Sequence, residues 1–474
     1  MIEEVSPAMS ADPHVTSEDI VKVPHVIQGQ TIFGTAQVFG PAGAQFATPR
    51  LDLDRLVWPR AEPGPAFDVP LTEIMDVLVA TGERMTRDPD GVLAQACEQM
   101  KRTSPLDAGV LERAYAELGS HVNRGAMEAM VQHELGGSEV LDGWRDLVTG
   151  YGQSARVRAF PPRLVHILAG NAPGVAVLSI VRGALVKGVH LLKLPSNDLF
   201  SATAMLRTMA KVAPNHPLVR SFTAVYWRGG DTSVESHLLR PQFFDKLVAW
   251  GGESALRSAK SYIGPGFELV AFDPKTSISF IGREAFESDS TLAQVARLAG
   301  DDSTPYNQGA CVSSRIQYIE GSPEQIDRYC ALLQQQLGMQ RSNCAAVGQL
   351  VTGELREQIE ALQDLEPEYR VWGKFDGRGI VIRSEQPVDF YPDRKVVNVV
   401  PVASLRDAVR YANVATQTVG VYPAARKGEV RDALASAGVQ RVVTLGKALG
   451  PGPGLPHDGF YPLHRFVRWV NDED

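Results

Sequence analysis

Apolar runs and amphipathic segments alternate along the middle of this chain, from about residue 156 to residue 262. The apolar runs that predict strands cover residues 164–168, 189–194, 222–227 and 246–250. The intervening segments that predict helices cover residues 174–187, 201–212, 233–239 and 254–262. Almost wholly apolar strands joined by helical crossovers are typical of a parallel sheet with helices on both faces. In such α/β sheets ligands bind at the carboxyl ends of the strands.

The segments before and after this region have patterns of their own. Residues 23–27 and 32–38 predict short strands, whereas residues 68–148 carry apolar positions at helical spacing. A second α/β block begins near Lys275, with elements predicted at residues 278–281, 290–298, 323–337, 395–400 and 420–422. The tail, residues 446–474, is rich in Gly and Pro and then becomes apolar and basic. We expect it to fold back on the body of the protein or on a neighbouring subunit.

Composition and charge exclude several classes of function. The formal net charge is −8, which argues against nucleic acid or an anionic membrane as the main partner. No apolar run is long enough to span a bilayer, and the acidic start Met1-Ile2-Glu3-Glu4 lacks the apolar core of a secretory signal. The four cysteines show neither a C-x-x-C pair nor metal-ligand spacing. We therefore expect a cytoplasmic protein without a metal, whose chemistry comes from side chains and an organic cofactor.

Cys311 differs from the other cysteines because it lies between a turn and a strand. It follows the small, turn-forming run Asn307-Gln308-Gly309-Ala310 and precedes the strand-like residues 315–319. A thiolate at such a junction can meet a substrate, and backbone N–H groups there can point at a developing oxyanion. The alternative is a buried small hydrophobic residue. The local context leaves both interpretations open, whereas the other three cysteines lie in or beside helical patterns and are interpreted as core residues.

Two further residues with reactive side chains stand at the ends of predicted elements. Asn171 follows the strand at 164–168, and its amide could donate to an oxyanion; an N-cap for the following helix is the alternative. His457, in the run His457-Asp458-Gly459, is either part of an acid/base pair or simply one residue of a turn, and the sequence favours the turn.

The carboxyl ends of two predicted strands carry candidate cofactor contacts. Gly251 and Gly252 lie between a strand and a helix, where small residues let a phosphate approach the helix N-terminus; a tight turn is the alternative. Lys193 and Ser196 follow another strand, and a lysine there could reach a ribose or a phosphate or could be a solvated loop residue. The chain has neither a G-x-G-x-x-G after a strand nor a P-loop.

Together these segments resemble the aldehyde dehydrogenase superfamily, and more closely its acyl-CoA reductase branch, the LuxC-type fatty acyl-CoA reductases. The resemblance covers the chain from about residue 156 to about residue 465. Four motifs carry it: His166-Ile167-Leu168-Ala169-Gly170-Asn171-Ala172-Pro173, Leu192-Lys193-Leu194-Pro195-Ser196, Asn307-Gln308-Gly309-Ala310-Cys311 and Pro456-His457-Asp458-Gly459. Their order and spacing favour the catalytic interpretation of Cys311.

The resemblance implies an α/β fold with a Rossmann-like cofactor domain, an α/β catalytic domain and oligomerising segments. The corresponding division gives residues 1–150 to N-terminal elements packed on the cofactor domain, 151–274 to the NAD(P)-binding domain, 275–435 to the catalytic domain and 436–474 to a C-terminal segment that returns to the body or to a partner subunit. The implied site residues are Asn171 and the backbone N–H of Cys311 at the oxyanion, Lys193 and Ser196 at the adenosine ribose, and Gly251 and Gly252 near the pyrophosphate.

Three departures from the hydrolytic members of the superfamily alter what the resemblance implies. Those members carry a Glu that activates water, and here Ala271 stands in its place while Glu268 is out of register. Their cofactor-binding Glu-x-Phe corresponds approximately to residues 397–399, Val-Asn-Val. Asn197, where NAD-preferring relatives often carry an acid, favours NADP(H) over NAD(H), although Asp198 argues the other way.

The expected reaction is therefore reduction of an acyl thioester, with coenzyme A as the leaving group, to an aldehyde through an acyl-enzyme on Cys311. Without a general base, water attacks an acyl-enzyme poorly, so the thioester would persist until hydride arrives. The alternatives are an NAD(P)⁺-dependent aldehyde dehydrogenase that releases a carboxylate, a non-redox thiol acyltransferase, and a non-catalytic nucleotide-binding scaffold. The expected partners are a second copy of the chain, in a dimer or tetramer, and an acyl-transferring enzyme.

Overall fold

The computed structural model describes residues 20–41, 43–450 and 452–473; the acidic start Met1-Ile2-Glu3-Glu4 lies outside them. The strands are β1 Val21–Lys22, β2 His25–Ile27, β3 Gln30–Ile32, β4 Gln37–Phe39, β5 Phe46–Thr48, β6 Arg145–Val148, β7 Ser154–Phe160, β8 Arg163–Ile167, β9 Val189–Lys193, β10 Phe222–Val225, β11 Lys246–Trp250, β12 Glu268–Phe272, β13 Thr276–Ile281, β14 Ser314–Ile319, β15 Tyr369–Gly373, β16 Ile380–Ser384, β17 Val396–Pro401, β18 Thr416–Tyr422, β19 Arg441–Thr444 and β20 Arg468–Glu473. The α-helices are α1 Leu71–Arg87, α2 Val92–Met100, α3 Ala108–Glu117, α4 Arg124–Leu135, α5 Glu139–Asp142, α6 Gly174–Leu185, α7 Ser201–Val212, α8 Pro217–Arg220, α9 Thr232–Leu238, α10 Glu253–Lys260, α11 Asp289–Ser303, α12 Pro323–Leu337, α13 Glu354–Gln363, α14 Leu405–Ala408, α15 Lys427–Ala437 and α16 Pro462–Phe466.

The first large sheet has the strand order β12-β11-β8-β9-β10-β2-β3 and is parallel from β12 to β10. Its strands are apolar because both faces are covered. Leu164 packs into the cluster formed with α1, α6 and α7, whereas its neighbour Val165 packs towards α9 and α10. Helices on both faces of a parallel sheet are the arrangement that the sequence predicted.

The second large sheet has the order β15-β16-β17-β14-β13-β18-β19, with only β15 antiparallel to its neighbour. The helices α11 and α12 pack on one face, and α14 and α15 pack on the other. The pairing of β13 is irregular on both sides, because the register shifts next to Ser277 towards β14 and towards β18. These bulges lie at the end of the sheet that carries the cysteine loop.

The antiparallel sheet β20-β7-β6 joins the end of the chain to its middle. Strand β20 pairs along β7 from Arg468 opposite Phe160 to Glu473 opposite Ala155. Just before it, α16 packs on α4 and α6. The tail therefore folds back on the body of its own chain, and the turn that precedes α16 lies next to the catalytic sheet.

Residues 397–399, which stand approximately where the hydrolytic members carry their Glu-x-Phe, lie inside β17. Val397, Asn398 and Val399 are completely buried, at 0% exposure. The Asn398 amide donates to the backbone of Ile382 on β16, and its oxygen accepts from the backbone N–H of Val388. This segment is part of the core of the second sheet.

None of the helices within the described residues is long and apolar enough to cross a membrane.

Candidate active site

The cysteine loop, residues 304–313, connects α11 to β14 and carries Cys311. Tyr306, Asn307 and Gln308 have φ angles of 51°, 54° and 72°, so three successive residues with side chains adopt the left-handed conformation. This conformation is costly for residues other than glycine. It persists only where surrounding contacts fix it, and such positions cluster at functional sites. The contacts that hold this loop are therefore part of the site.

Asn307 anchors the loop to the segment that follows α12. Its Oδ1 accepts a hydrogen bond from the backbone N–H of Ala345 at 2.9 Å and another from the thiol of Cys344 at 3.3 Å. Cys344 has 0% exposure. The sequence assigned this cysteine to the core, and the structure shows a buried residue that also supports the catalytic loop.

Gln308 anchors the same loop to the second sheet. Its Nε2 donates to the carbonyl of Val396 at 2.8 Å, and its own carbonyl accepts from Nη2 of Arg315 at 2.6 Å. Both side chains are buried. These two hydrogen bonds tie the strained residues to β17 and β14, so that the position of Cys311 is set by the sheet and not by the loop alone.

Cys311 is exposed, in contrast to the three other free cysteines. Its carbonyl accepts a hydrogen bond from the hydroxyl of Ser277, on the central strand β13, at 2.9 Å. Protein atoms crowd around the thiol although the residue is open to solvent; this desolvation, together with the charge of Asp458, raises the pKa of Cys311. The side-chain amide of Gln417 and the backbone N–H groups of Cys311 and Val312 act in the opposite direction by stabilising the thiolate.

Asn171 lies beside the cysteine loop, where the chain passes from β8 into α6. Its Nδ2 donates to the carbonyl of Gly309 at 2.9 Å. The interpretation of Asn171 as a helix cap is wrong, because the N-cap of α6 is Pro173 and no side chain caps this helix. A side-chain amide has two N–H donors, so one remains beyond the bond to Gly309. The structure thus brings together the amide and the thiol that the sequence singled out separately.

Gln417 and Asp458 adjoin Cys311 and were not recognised from the sequence as site residues. Nε2 of Gln417 donates to Oδ1 of Asp458 at 2.6 Å, and the Gln417 amide acts to lower the pKa of the Cys311 thiol. Gln417 is 2% exposed and its Oε1 has no hydrogen-bond partner. Burial raises the pKa of Asp458, while its bond to Gln417 acts in the opposite direction.

The run His457-Asp458-Gly459 forms a tight turn, as the sequence favoured. Backbone hydrogen bonds of 2.9 Å and 3.2 Å join His457 and Phe460. The two residues between them have positive φ, 50° at Asp458 and 82° at Gly459, which is the geometry of the tightest hairpin turns. The turn places the carboxylate of Asp458 next to the cysteine loop and directs His457 elsewhere.

His457 belongs to an aromatic cluster behind the site. Its ring lies 5.3 Å from that of Trp250 and 5.2 Å from that of Phe272, edge-on to both. Its Nδ1 is 3.3 Å from Nη2 of Arg182. Burial and the positive charges nearby lower the pKa of His457 to about 3. The imidazole is therefore neutral and accepts from Arg182.

Position 271 carries no carboxylate because it is occupied by an alanine on β12, paired with Ala249 of β11. Glu268 begins the same strand, three residues away, and its carboxylate lies 3.3 Å from the ammonium of Lys246. A strand advances about 3.3 Å per residue, so Glu268 lies at the opposite end of the strand from the site. The expectation that Glu268 is out of register is confirmed.

Lys193 ends β9 and lies over two aromatic rings. Its ammonium is 5.7 Å from the ring centre of Tyr226 and 5.9 Å from that of Trp227. Burial lowers the pKa of Lys193, and the carboxylate of Glu235 opposes that shift. Glu235 is a further residue that the sequence did not identify; one oxygen accepts from Trp227 and from the backbone of Gly230, and the other has no partner.

The turn after Lys193 presents neutral side chains to solvent. Ser196 is exposed. Asp198 is 3% exposed and its carboxylate accepts from the backbone N–H and the hydroxyl of Ser201, at 3.1 Å and 2.7 Å. Burial raises the pKa of Asp198 to about 6. Asp198 therefore caps the start of α7 and does not face the surface that carries Ser196.

Gly251 and Gly252 lie between β11 and α10, and α10 lines one side of a cavity of about 520 Å³. A side chain on Gly252 would meet open space, whereas Gly251 has a φ of 157°. The cavity is lined by residues of α10, by 273–275 and by Val414 and Ala415. These two segments, 273–275 and 414–415, precede Ser277 and Gln417 in the chain.

No group of three or more His, Cys, Asp or Glu side chains within residues 20–41, 43–450 and 452–473 is arranged to hold a metal ion.

The two parallel sheets, with a cysteine loop on one and a glycine turn on the other, define the aldehyde dehydrogenase fold. A NAD-dependent benzaldehyde dehydrogenase from Corynebacterium glutamicum superimposes with a TM-score of 0.71 at 13% identity, over 95% of this chain and 98% of that one. A Δ-pyrroline-5-carboxylate dehydrogenase from Mycobacterium tuberculosis, solved with NAD, gives a TM-score of 0.69 at 14% identity, over 100% and 96%.

Within that fold, the chain belongs to the acyl-CoA reductase (LuxC) family, whose profile matches residues 66–469. The curated relatives include the long-chain acyl-protein thioester reductases of Vibrio harveyi, 30% identical over 74% of this chain and 72% of the relative, and of Aliivibrio fischeri, 29% identical over 74% and 71%. The family resemblance seen in the sequence is confirmed, and the chain is an oxidoreductase of the aldehyde/oxo class.

Proposed function

We propose that this protein reduces an acyl thioester to an aldehyde with NADPH, through an acyl-enzyme on Cys311. The observation that carries the proposal is the hydrogen bond from Asn171 to the cysteine loop, at 2.9 Å, beside an exposed thiol and with Ala271 where hydrolytic enzymes have their base. The names of the relatives, as thioester reductases, agree with it.

In the first step the Cys311 thiolate attacks the carbonyl carbon of the acyl thioester. A sulfur–carbon bond forms, and the carbonyl electron pair moves to oxygen, where Asn171 and the Cys311 N–H donate hydrogen bonds. The carbon–sulfur bond of the donor then breaks, its electrons leave with the donor thiolate, and the acyl group remains on Cys311. Such donors are most effective when they are already positioned before charge develops, and the anchored loop provides that.

In the second step the acyl-enzyme is reduced. When bound, the nicotinamide supplies a hydride. Asn171 and the Cys311 N–H again hold the oxyanion, since the same carbonyl carbon is attacked. The bond between that carbon and Cys311 then breaks, the electrons return to the sulfur, and the aldehyde leaves. Because Ala271 cannot act as a general base, water is not activated at this position, and the acyl-enzyme persists until hydride transfer.

The residues at the ends of β9 and β11 fit a dinucleotide. A pyrophosphate suits the N–H groups of α10, because Gly252 adds no side chain in front of them. Lys193 can contact the adenosine ribose or a 2′-phosphate. NADP(H) is favoured over NAD(H) because Ser196 is neutral and Asp198 is withdrawn into a helix cap. Glu235 is the competing feature, since a carboxylate near the ribose would favour NAD(H).

Coenzyme A is the proposed leaving group, and an acylated protein is the alternative donor of the same chemistry. The cavity beside α10 is bordered by the cations Arg257, Lys260 and Lys275, which suit the phosphates of coenzyme A, and also by the acids Glu253 and Asp273. The relatives are named for an acyl-protein substrate. Turnover of acyl-CoA alone, without any acyl-transferring enzyme, would support coenzyme A; activity only with an acylated protein would assign the donor to that partner.

The decisive experiment follows oxidation of NADPH with an acyl-CoA by the native protein and by Cys311→Ala. We expect the variant to lose the activity completely and to form no acyl-enzyme. Cys97→Ala serves as the matched control, because Cys97 is a buried cysteine of α2, remote from the loop. Reduction by Cys311→Ala at the native rate would end the proposal.

Product analysis separates the alternatives. An aldehyde dehydrogenase that releases a carboxylate would give acid from aldehyde without free coenzyme A, whereas the proposed enzyme needs the thiol to complete the reverse reaction. A non-redox acyltransferase would form the acyl-enzyme but show no effect of NADPH on its lifetime. A non-catalytic scaffold would leave Cys311 inert to alkylation at neutral pH.

Self-association and a cytoplasmic location belong to the same proposal. The sheet β20-β7-β6 presents exposed apolar side chains, among them Trp144, Val148 and Tyr151. A second copy of the chain could cover them in a dimer or tetramer. A reaction that needs a free cysteine thiol as nucleophile suits the reducing cytoplasm.

A further inference from the structure

We infer that Gln417 and Asp458 together set the reactivity of Cys311: Asp458 accepts one hydrogen of the Gln417 amide and thereby turns the other towards the sulfur. This inference rests on the proposed function, since it gives the thiolate of Cys311 a dedicated hydrogen-bond donor. In this inference Gln417 is the residue assigned to the sulfur, whereas Asp458, which accepts from Gln417 at 2.6 Å, acts through it as a positioning residue.

A bulge in the second sheet directs Gln417 to the cysteine. Strand β18 pairs with β13 at Thr416–Thr276 and again at Val419–Ile278, so two residues of β18 oppose the single residue Ser277. Bulges re-aim side chains and are common beside active sites. Here Ser277 holds the carbonyl of Cys311 at 2.9 Å, and the bulge opposite it carries Gln417. The register shift beside Ser277 thus affects both residues, Ser277 and Gln417.

The carboxylate determines which end of the amide faces the thiol. A carboxylate only accepts hydrogen bonds, so the group 2.6 Å from Asp458 must be the NH₂ of Gln417. The second hydrogen of that NH₂ then points away from Asp458, towards the sulfur. If the amide were turned over, its oxygen would face a carboxylate and a thiolate at once. This orientation leaves the buried Oε1 of Gln417 without a hydrogen-bond partner, which is unfavourable for stability.

Several charged groups face this pair and act on the same proton. Arg441, which donates to Thr418 and to the carbonyl of Ala448 at 3.0 Å, lies within electrostatic range of Cys311. Tyr391 also lies near the thiol. The charges of Lys275, Asp273 and Arg182 in turn act on the pKa of Asp458. These charges surround Cys311 in every variant of the pair, so they cancel in a comparison that changes only Gln417 and Asp458.

The amide is useful twice in the proposed reaction. It stabilises the thiolate that attacks the acyl thioester, and it stabilises the same thiolate when the carbon–sulfur bond breaks and the aldehyde leaves. In both steps the electron pair resides on sulfur, and the proton balance of the substrate is unchanged. A carboxylate placed directly against the sulfur would do the opposite, by repelling the thiolate.

The test is a double-mutant cycle with the pH dependence of Cys311 alkylation as its readout. The rate of modification by iodoacetamide is followed by mass spectrometry of the Cys311 peptide in the native protein, Gln417→Leu, Asp458→Asn and the double variant. We expect Gln417→Leu to move the midpoint upward by about one pH unit or more, a tenfold loss of thiolate at fixed pH, because a hydrogen bond to a charged group is lost. Gln417→Met serves if the leucine variant does not fold.

The sign of the Asp458→Asn effect decides the inference. In the Gln417→Leu background only the repulsion between carboxylate and thiolate remains, so Asp458→Asn should lower the midpoint. In the native background the orientation of Gln417 is lost as well, so the midpoint should fall less or rise. Equal shifts in both backgrounds would overturn the inference. Asp273→Asn is the control, because the charge of Asp273 acts on Asp458 but Asp273 does not bond Gln417. The change that Asp273→Asn causes in the alkylation midpoint should be the same in the native and in the Gln417→Leu background.

This outcome is independent of the proposed reduction. Alkylation needs neither substrate nor NADPH, and a purely structural role for the pair would lower the melting temperature without moving the alkylation midpoint. Failure of the cycle would therefore leave the reductase proposal standing, whereas activity in Cys311→Ala would remove the reductase proposal whatever the cycle shows.

Discussion

Replacement of Asn171 by Ala removes two contacts with one substitution, and their magnitudes differ enough to be told apart. The hydrogen bond to Gly309, 2.9 Å in length, joins two neutral groups and is worth about 1 kcal/mol to stability. The donor to the oxyanion, if the proposed mechanism holds, is worth about 3–4 kcal/mol in the transition state. We therefore expect kcat to fall by a factor of about 10²–10³ while the melting temperature changes by only a few degrees.

The assay must follow the two chemical steps separately, because both build charge on the same oxygen. Release of the donor thiol in the absence of NADPH reports acylation of Cys311, and oxidation of NADPH by the pre-formed acyl-enzyme reports reduction. Asn171→Ala should slow both steps to a similar extent. Asn123→Ala is the matched control: Asn123 caps α4 by accepting from Ala126 at 3.0 Å, so its loss also costs about 1 kcal/mol of stability but should leave both rates unchanged.

Two results would refute the reasoning. If Asn171→Ala changed the rates no more than Asn123→Ala does, the Asn171 amide would only stabilise the cysteine loop and would not donate to the oxyanion. If only acylation slowed, the oxygen that Asn171 serves would not be the one that carries charge during hydride transfer.

Three further predictions test the cofactor, the buried histidines and the exposed sheet. Lys193→Met should raise KM for NADPH at least tenfold without altering Cys311 alkylation, because Lys193 is assigned to the nucleotide; an unchanged KM for NADPH in steady-state assays would contradict this. The rings of His166 and His190 share a buried contact of 3.1 Å, and burial lowers the pKa of His190 to about 3 in the folded protein. Because the unfolded chain binds the proton at about pH 6.5, the stability present above that pH is lost as the pH falls. His190→Gln should therefore reduce the proton uptake on unfolding at pH 5, measured calorimetrically, by about one proton. Val148→Asp, on the exposed strand β6, should dissociate the proposed oligomer in sedimentation experiments, and an unchanged mass would show that this strand is not the interface.

The sequence predicted the core of both large sheets because their strands are buried on both faces. The boundaries of β11, α7 and α12 fall where the pattern placed them, at Lys246–Trp250, Ser201–Val212 and Pro323–Leu337. Continuous apolar runs and, for α12, a capping box with Ser322 and Gln325 leave little ambiguity. The pairing of β7 with β20 could not be predicted, because the local pattern of a strand does not indicate a partner more than three hundred residues away.

The site was predicted in part, and the gap has a physical cause. Cys311 and Asn171 are marked by the turn and strand end in which they lie. Gln417 has no such mark, because it lies in the interior of a strand at a register shift beside Ser277, and the sequence gives no sign of that shift. Asp458 was seen as a turn residue, which it is, but the direction of its carboxylate depends on where the tail crosses the second sheet.

The competition between water and hydride for the acyl-enzyme depends on the same two residues. Among the described residues, Asp458 is the carboxylate beside the thiol, and in a hydrolytic enzyme such a group could activate water. Its Oδ1 is already bound by Gln417 at 2.6 Å. Ala271, on β12, adds no second carboxylate that could activate water. Loss of Gln417 should therefore do more than weaken the thiolate, because it frees a carboxylate next to the thioester, and hydrolysis of the acyl-enzyme without NADPH should increase in Gln417→Leu.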